Sequence, residues 1–336
     1  MTAARRKGRR GASGLAVLIL VALMVAVAAP APPARGGEPN WPPTLTVLTA
    51  SAGGTYHVYG EELAKILTRT LRMPVAERTT GGPNENIAAV EDNPAVIGFV
   101  TTGAALQAWN GTADWTHGKQ YRSLRALFPM YDTPFHFVAT KASGIRSIRD
   151  MAGKKIGVGP EGGTAGTYMP KLLKALGIDA ALEYDDWDVL AKELGAGQLD
   201  ALAVAVGPPF PAIAALEAQK KIVFIAPSAE DIRAWRLAFP ELTPSVVPAG
   251  LYPSLTKGYK TVGLYNFAVA NQDMPDDLAY AIVDAAFANR AQLVQAHPAA
   301  AATVAANYVN NTFLPYHPGA LRYYATRIMG EKTVGD

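Results

Sequence analysis

The order of apolar runs predicts an α/β protein of two lobes, each a sheet flanked by helices, with a ligand cleft between the lobes. Three observations carry that prediction. Apolar runs of strand length alternate with segments of helical spacing through most of the chain, the pattern of parallel sheets covered on both faces. The chain has 336 residues, and at roughly 100 to 200 residues per domain that length suits two lobes with ample core. Loops rich in glycine and threonine follow several of the expected strands, where ligands of such sheets bind.

At the amino terminus, the basic head Arg5, Arg6, Lys7, Arg9 and Arg10 precedes an apolar run over 15–29, and Ala26-Val27-Ala28 offers a small-residue cleavage signal. This reads as a secretory signal peptide over 1–29, with an uncleaved anchor as the alternative. The paired arginines raise a twin-arginine route without supplying the rest of that motif. Residues 30–43 are rich in Pro, Ala and Gly and lack apolar periodicity, as in a flexible tether. No later segment is long and apolar enough to span a bilayer, so the mature protein is expected to be soluble and periplasmic.

Strands are expected over 45–49, 75–79 and 96–100, with helices over 59–71 and 86–91 between them. Two further strands are expected over 123–128 and 135–140. The alternation resumes with strands at 155–158, 181–184 and 201–206 and helices at 168–176 and 189–195. A late strand is expected over 262–270. One long helix follows over 275–296, capped by Asp273 with Pro275 in its first turn.

Composition closes several function classes. The sequence contains no cysteine, which excludes disulfides, thiolate catalysis, cysteine-ligated zinc or iron–sulfur sites and a lipid anchor on cysteine. The net charge is +3, but five cations lie in the first 29 residues, and the remainder carries 26 cations against 28 acids. A nucleic-acid-binding surface therefore has no support. His57, His117, His136, His297 and His317 never fall at zinc-binding spacing, so neither a metal nor any cofactor is expected. No Gly-x-Ser-x-Gly elbow is present, and no nucleophile, base and orienter can be assembled, so an enzyme is not expected.

Four loops of small and hydroxylated residues remain, over 51–56, 79–86, 101–103 and 159–167. Glycine lets the backbone approach a ligand, and hydroxyls or amides supply neutral hydrogen-bond partners. A helix opening just after such a loop adds free N–H groups and the positive end of its dipole. The combination suits a carboxylate or another small anion, although Gly and Thr also serve as ordinary turn and cap residues. Gly54, Thr55 and Tyr56, Asn86, Thr101 and Thr102, and Gly163, Thr164 and Thr167 are the expected ligand-binding residues. His57, Arg78 and Glu161 stand beside these loops with no role fixed. Asp185, Asp186 and Asp188 read as solvated turn residues. Trp109, Trp115, Tyr121 and Tyr131 suit either an aromatic sugar surface or core packing.

The run Thr49-Ala50-Ser51-Ala52-Gly53-Gly54-Thr55-Tyr56 with Tyr59-Gly60, then Thr80-Gly81-Gly82 before Glu85-Asn86, Gly98-Phe99-Val100 and Asn110-Gly111, resembles the TAXI-type solute receptors of tripartite ATP-independent periplasmic (TRAP) transporters. Asp150-Met151-Ala152-Gly153-Lys154-Lys155-Ile156-Gly157-Val158-Gly159 is similar to that family's opening of the second lobe. Pro248-Ala249-Gly250-Leu251-Tyr252-Pro253, His297-Pro298 and Leu314-Pro315-Tyr316-His317-Pro318-Gly319-Ala320 resemble its closing motifs.

The resemblance, in order from 45 to 324, implies a two-lobe type II periplasmic-binding-protein fold. Lobe 1 would comprise 44–138 and 266–336, and lobe 2 139–265. It further implies a receptor that closes on a small carboxylate-bearing solute, such as glutamate, a dicarboxylate or a 2-oxoacid. The receptor would deliver that solute to an ion-gradient-driven TRAP permease of fused small and large subunits. A receptor for a sensor kinase or another transporter is the alternative. The chain departs from the family pattern at Pro83, where Ser is common, at Thr101-Thr102-Gly103, where Gln-Ser-Asp is usual, and at Arg78 and Glu161.

Overall fold

Parallel pairing of short apolar strands builds both halves of the protein in the computed structural model, which describes residues 40–329. In the first half, β1 (Leu45–Leu48) lies between β2 (Val75–Arg78) and β3 (Val96–Thr101), parallel to both. The helices α1 (Thr55–Leu71) and α2 (Pro83–Glu91) make the crossovers, and α3 (Thr102–Asn110) leaves the end of β3. β4 (Leu124–Thr140) then carries the chain into the second half. There β5 (Lys155–Gly157) lies between β6 (Ala181–Glu183) and β7 (Ala201–Ala205), again parallel to both. α4 (Thr164–Ala175) and α5 (Trp187–Ala196) are the crossovers. α6 (Pro211–Glu217), β8 (Ile222–Phe224), α7 (Ala229–Ala238) and β9 (Thr243–Val247) complete this half. β10 (Tyr259–Asn271) returns to the first half, where α8 (Asp276–Ala288), α9 (Arg290–Ala296) and α10 (Pro318–Tyr324) close the fold.

The strand order is β2-β1-β3-β10-β4-β7-β5-β6, with β8 on β4 and β9 on β10. β4 pairs antiparallel with β10 as far as Pro134, then passes to β7 from Phe135. β10 makes the reciprocal exchange, pairing with β9 through Gly263 and with β3 from Asn266. The architecture is thus a two-lobe, type II-like α/β fold joined by two long strands. On one face of the first sheet, Leu63, Ile66 and Leu67 of α1 and Leu278 and Ile282 of α8 share a core with Val47 and Phe99. Ile87, Val90, Ala104 and Ala108 fill the other face. The second lobe has its own core, in which Phe137 stacks on Trp235 at 5.8 Å and the indole N–H donates to Leu172 O at 2.9 Å.

Three expectations need correction. The strands expected at 123–128 and 135–140 are one strand, β4, because Pro129 falls beside a register shift against β10 and Pro134 where the strand changes partner, positions that can spare a donor. The helix expected over 275–296 breaks at Asn289, whose φ of −106° and ψ of 19° leave helical geometry and whose Nδ2 donates to Ala285 O at 2.8 Å. Pro275, not Asp273, occupies its N-cap position. Residues 102–110, 211–217 and 229–238 are helical where no helix was expected. The expected leader and residues 30–39 of the tether lie outside the described residues. Among the described residues no helix is long and apolar enough to cross a membrane.

Candidate functional site

Each lobe sends a glycine-turned helix start into the same cleft. After β1 the chain turns at Gly53, whose φ of +80° suits glycine, and α1 opens at Thr55 with Gly54 as N-cap. Gly60, one turn on, lets α1 lie against β1, since a Cβ there would fall 2.2 Å from Thr49 Cγ2. In the other lobe the loop after β5 turns at Gly159, and α4 opens at Thr164 with Gly163 as N-cap. A Cβ on Gly159 would fall 2.3 Å from the Trp187 indole, so this glycine allows the ring to form part of the cleft wall. Neither helix has a side-chain cap. The backbone N–H groups of Thr55 and Tyr56, and of Thr164 and Ala165, have no protein partner, and these residues line one cavity of about 470 Å³.

The cavity wall carries no charged side chain. Three of its polar members, Tyr131, Thr133 and Asn266, come from the strands that join the lobes. The Tyr56 hydroxyl donates to Asn266 Oδ1 at 2.6 Å, and Asn266 Nδ2 donates to Tyr131 O and Thr133 Oγ1, both at 2.6 Å. Tyr131 is 2% exposed, and its hydroxyl has no hydrogen-bond partner. The Ser51 hydroxyl, also on the wall, faces the Asp186 carboxylate without completing a hydrogen bond. Burial pushes the Tyr56 and Tyr131 phenols up, so both stay neutral donors. Two helix N-termini and neutral hydroxyls in a space without carboxylates or cations can hold a small anion.

The lobes meet around this cavity. Thr55 Oγ1 donates to Gly207 O at 2.6 Å, Asn84 Nδ2 to Thr167 Oγ1 at 3.1 Å, and Asn84 N to Gly162 O at 3.3 Å. Gly82, with φ of +120°, lies so close to the opposite loop that a Cβ would come 2.9 Å from Gly163 Cα. The structure is therefore a closed form.

Of the residues expected from sequence, the structure brings Gly54, Thr55, Tyr56, Gly163 and Thr164 onto the cavity wall. Thr101 lies just behind it, fully buried, with Oγ1 3.4 Å from Thr164 Oγ1. Thr167 is off the wall, and its hydroxyl accepts from Asn84 Nδ2. Asn86 and Thr102 are not at the cavity. The Asn86 amide donates to Thr49 O at 2.7 Å and Phe99 O at 2.8 Å and accepts from Thr80 at 2.8 Å, so it ties β1 to β3 and has no group left for a solute. Thr102 opens α3 and faces a separate groove with Asp132 and Glu241.

His57 pairs with Glu77 at 3.2 Å and Arg78 with Glu85 at 3.9 Å, both off the wall, and Glu161 is exposed. Asp188 pairs with Lys192 on α5 at 3.2 Å. Trp109, Trp115 and Tyr121 pack in or against a first-lobe core, while Tyr131 lines the cavity. Sequence reasoning left Tyr131 open between a binding surface and the core, and missed Thr133, Trp187, Gly207 and Asn266 as wall residues. The signal for two of them was a polar residue inside an apolar strand, Thr133 in β4 and Asn266 in β10, both buried. Among the described residues no cluster of three or more His, Asp or Glu could hold a metal ion.

Fold and site together define a two-lobe, type II-like α/β protein with a cleft lined by neutral groups. The chain belongs to the NMT1-like family, whose model matches residues 47–326. It is similar in fold to the periplasmic binding protein BugD, at 14% identity and a TM-score of 0.57 over 87% of this chain and 96% of that one. It is also similar to MatC of Rhodopseudomonas palustris with bound malate, at 14% identity and 0.56 over 86% and 97%. A third is an R. palustris protein with adipate, at 15% identity and 0.52 over 88% and 97%.

Proposed function

We propose that this protein is an extracytoplasmic receptor, exported by the leader over 1–29, that closes its lobes on a small carboxylate-bearing solute. It then delivers the solute to an ion-gradient-driven membrane permease of the TRAP type. The lobes are residues 44–138 with 266–336, and residues 139–265. One observation carries the reading: two uncapped helix starts, one from each lobe, face a single uncharged cavity. An anion between them completes backbone N–H groups of both lobes at once, so binding and closure are the same event. Neutral donors avoid the desolvation cost of a buried ion pair and allow release. The malate and adipate of the two R. palustris neighbours are carboxylates, in keeping with this reading.

The test is a thermal-shift screen of the chain from residue 30 onward against carboxylates, amino acids, sugars and phosphorylated compounds. A true solute at one hundred times its dissociation constant stabilises the protein by about 2.7 kcal/mol. Stabilisation by carboxylates is the expected result. A response confined to sugars or phosphorylated compounds overturns the solute class.

A further inference from the structure

We infer that the cleft selects a short monocarboxylate carrying one uncharged oxygen beyond its carboxylate, and that the Tyr131 hydroxyl donates a hydrogen bond to that oxygen. The inference rests on the receptor reading and narrows it by size, charge and a named residue.

Size comes first. The closed cavity is narrow, and the room it leaves for a solute is a small part of its 470 Å³. A carboxylate takes much of that room, and a few further heavy atoms take the rest.

Charge comes second. With no charged side chain on the wall, an ammonium group or a second carboxylate would be buried without a partner. Asp186, which Ser51 faces, is exposed and off the wall. The helix starts serve one carboxylate, and nothing serves a second ion.

The third point is the inventory of hydroxyls on the joining strands. Tyr56 gives its proton to Asn266, and Asn266 spends both of its donors on Tyr131 O and Thr133 Oγ1. Thr133 Oγ1 has Asn266 as its partner, whereas the Tyr131 hydroxyl is buried with no partner of either kind. A buried donor without an acceptor is costly, and a neutral oxygen on the solute removes that cost. The ring is held against the far lobe's loop, because Gly207 has no side chain: a Cβ there would fall 2.4 Å from Tyr131 Cε2. Tyr131 thus reports on lobe closure and on the solute's tail together.

The test is calorimetric titration of wild-type protein and Tyr131→Phe with lactate, propionate, L-alanine and succinate. Wild-type protein is expected to bind lactate about tenfold more tightly than propionate, the value of one good hydrogen bond. Tyr131→Phe should erase that preference and leave propionate affinity unchanged. Because the variant loses an unpartnered group, its ligand-free thermal midpoint should not fall, which checks folding separately. Equal affinity for lactate and propionate in wild-type protein, a preference that survives in Tyr131→Phe, or tighter binding of alanine or succinate each overturns this inference while leaving a carboxylate receptor in place. Failure of every carboxylate overturns the receptor reading as well.

Discussion

Asn86 and Tyr131 are both buried polar residues near the cleft, yet their hydrogen-bond inventories give them opposite tasks. Asn86 has its amide fully engaged inside its own lobe, whereas the Tyr131 hydroxyl is unpartnered. Asn86→Ala takes a donor from the Phe99 carbonyl and leaves the Thr49 carbonyl with Thr80 alone in a buried site, so it should lower unfolding stability by about 1 to 3 kcal/mol. Urea denaturation checks this, and a loss of affinity without a loss of stability would return Asn86 to the solute. The loop composition singled out Gly54, Thr55, Tyr56, Gly163 and Thr164, which the fold brings to one cavity wall, because strand, glycine turn and helix start are all local features. It misassigned Asn86 because residue type does not reveal which neighbour an amide faces. Thr133 and Asn266 were illegible as wall residues, and Tyr131 undecided between surface and core, because they come from strands whose partners are far away in sequence.

At the scale of elements, short strands and amphipathic helices were legible wherever one lobe decides their environment. β4 was read as two pieces because its environment changes partway along, from β10 to β7. That crossing carries two buried titratable groups of opposite effect. Burial holds Asp132 up at about 6 from an ordinary 3.8, against the hydrogen bond from Ser245 of β9 and beside Tyr265 of β10. The folded chain keeps this proton where the unfolded chain has lost it, so Asp132 makes stability fall as pH rises from about 4 to 6. Burial lowers His136 from 6.5 to about 4, so the unfolded chain holds the extra proton and stability falls as pH drops through that window. Asp132→Asn removes the first effect alone. Its stability should therefore climb more steeply with pH between about 4 and 6 than that of the wild type, measured by urea unfolding at several pH values. Identical slopes would mean that Asp132 does not hold its proton in the folded chain.

For the whole molecule, closure is written in contacts that join the lobes without belonging to either core. Thr55 Oγ1 to Gly207 O is the shortest of those described above, at 2.6 Å. Thr55→Val keeps the shape and removes the bond, so solute affinity should fall about fivefold, as about 1 kcal/mol implies. The ligand-free thermal midpoint should stay nearly constant, and a large fall would place Thr55 in the structure of its lobe instead. The central claim is that the helix starts of α1 and α4 hold a carboxylate between the lobes. Calorimetric comparison of a bound carboxylate with its own primary amide tests it most directly, because shape is kept while charge is removed. Charge-assisted bonds and two helix dipoles together predict a preference of at least about tenfold for the acid. Equal affinity for the amide would contradict an anion site at those helix starts.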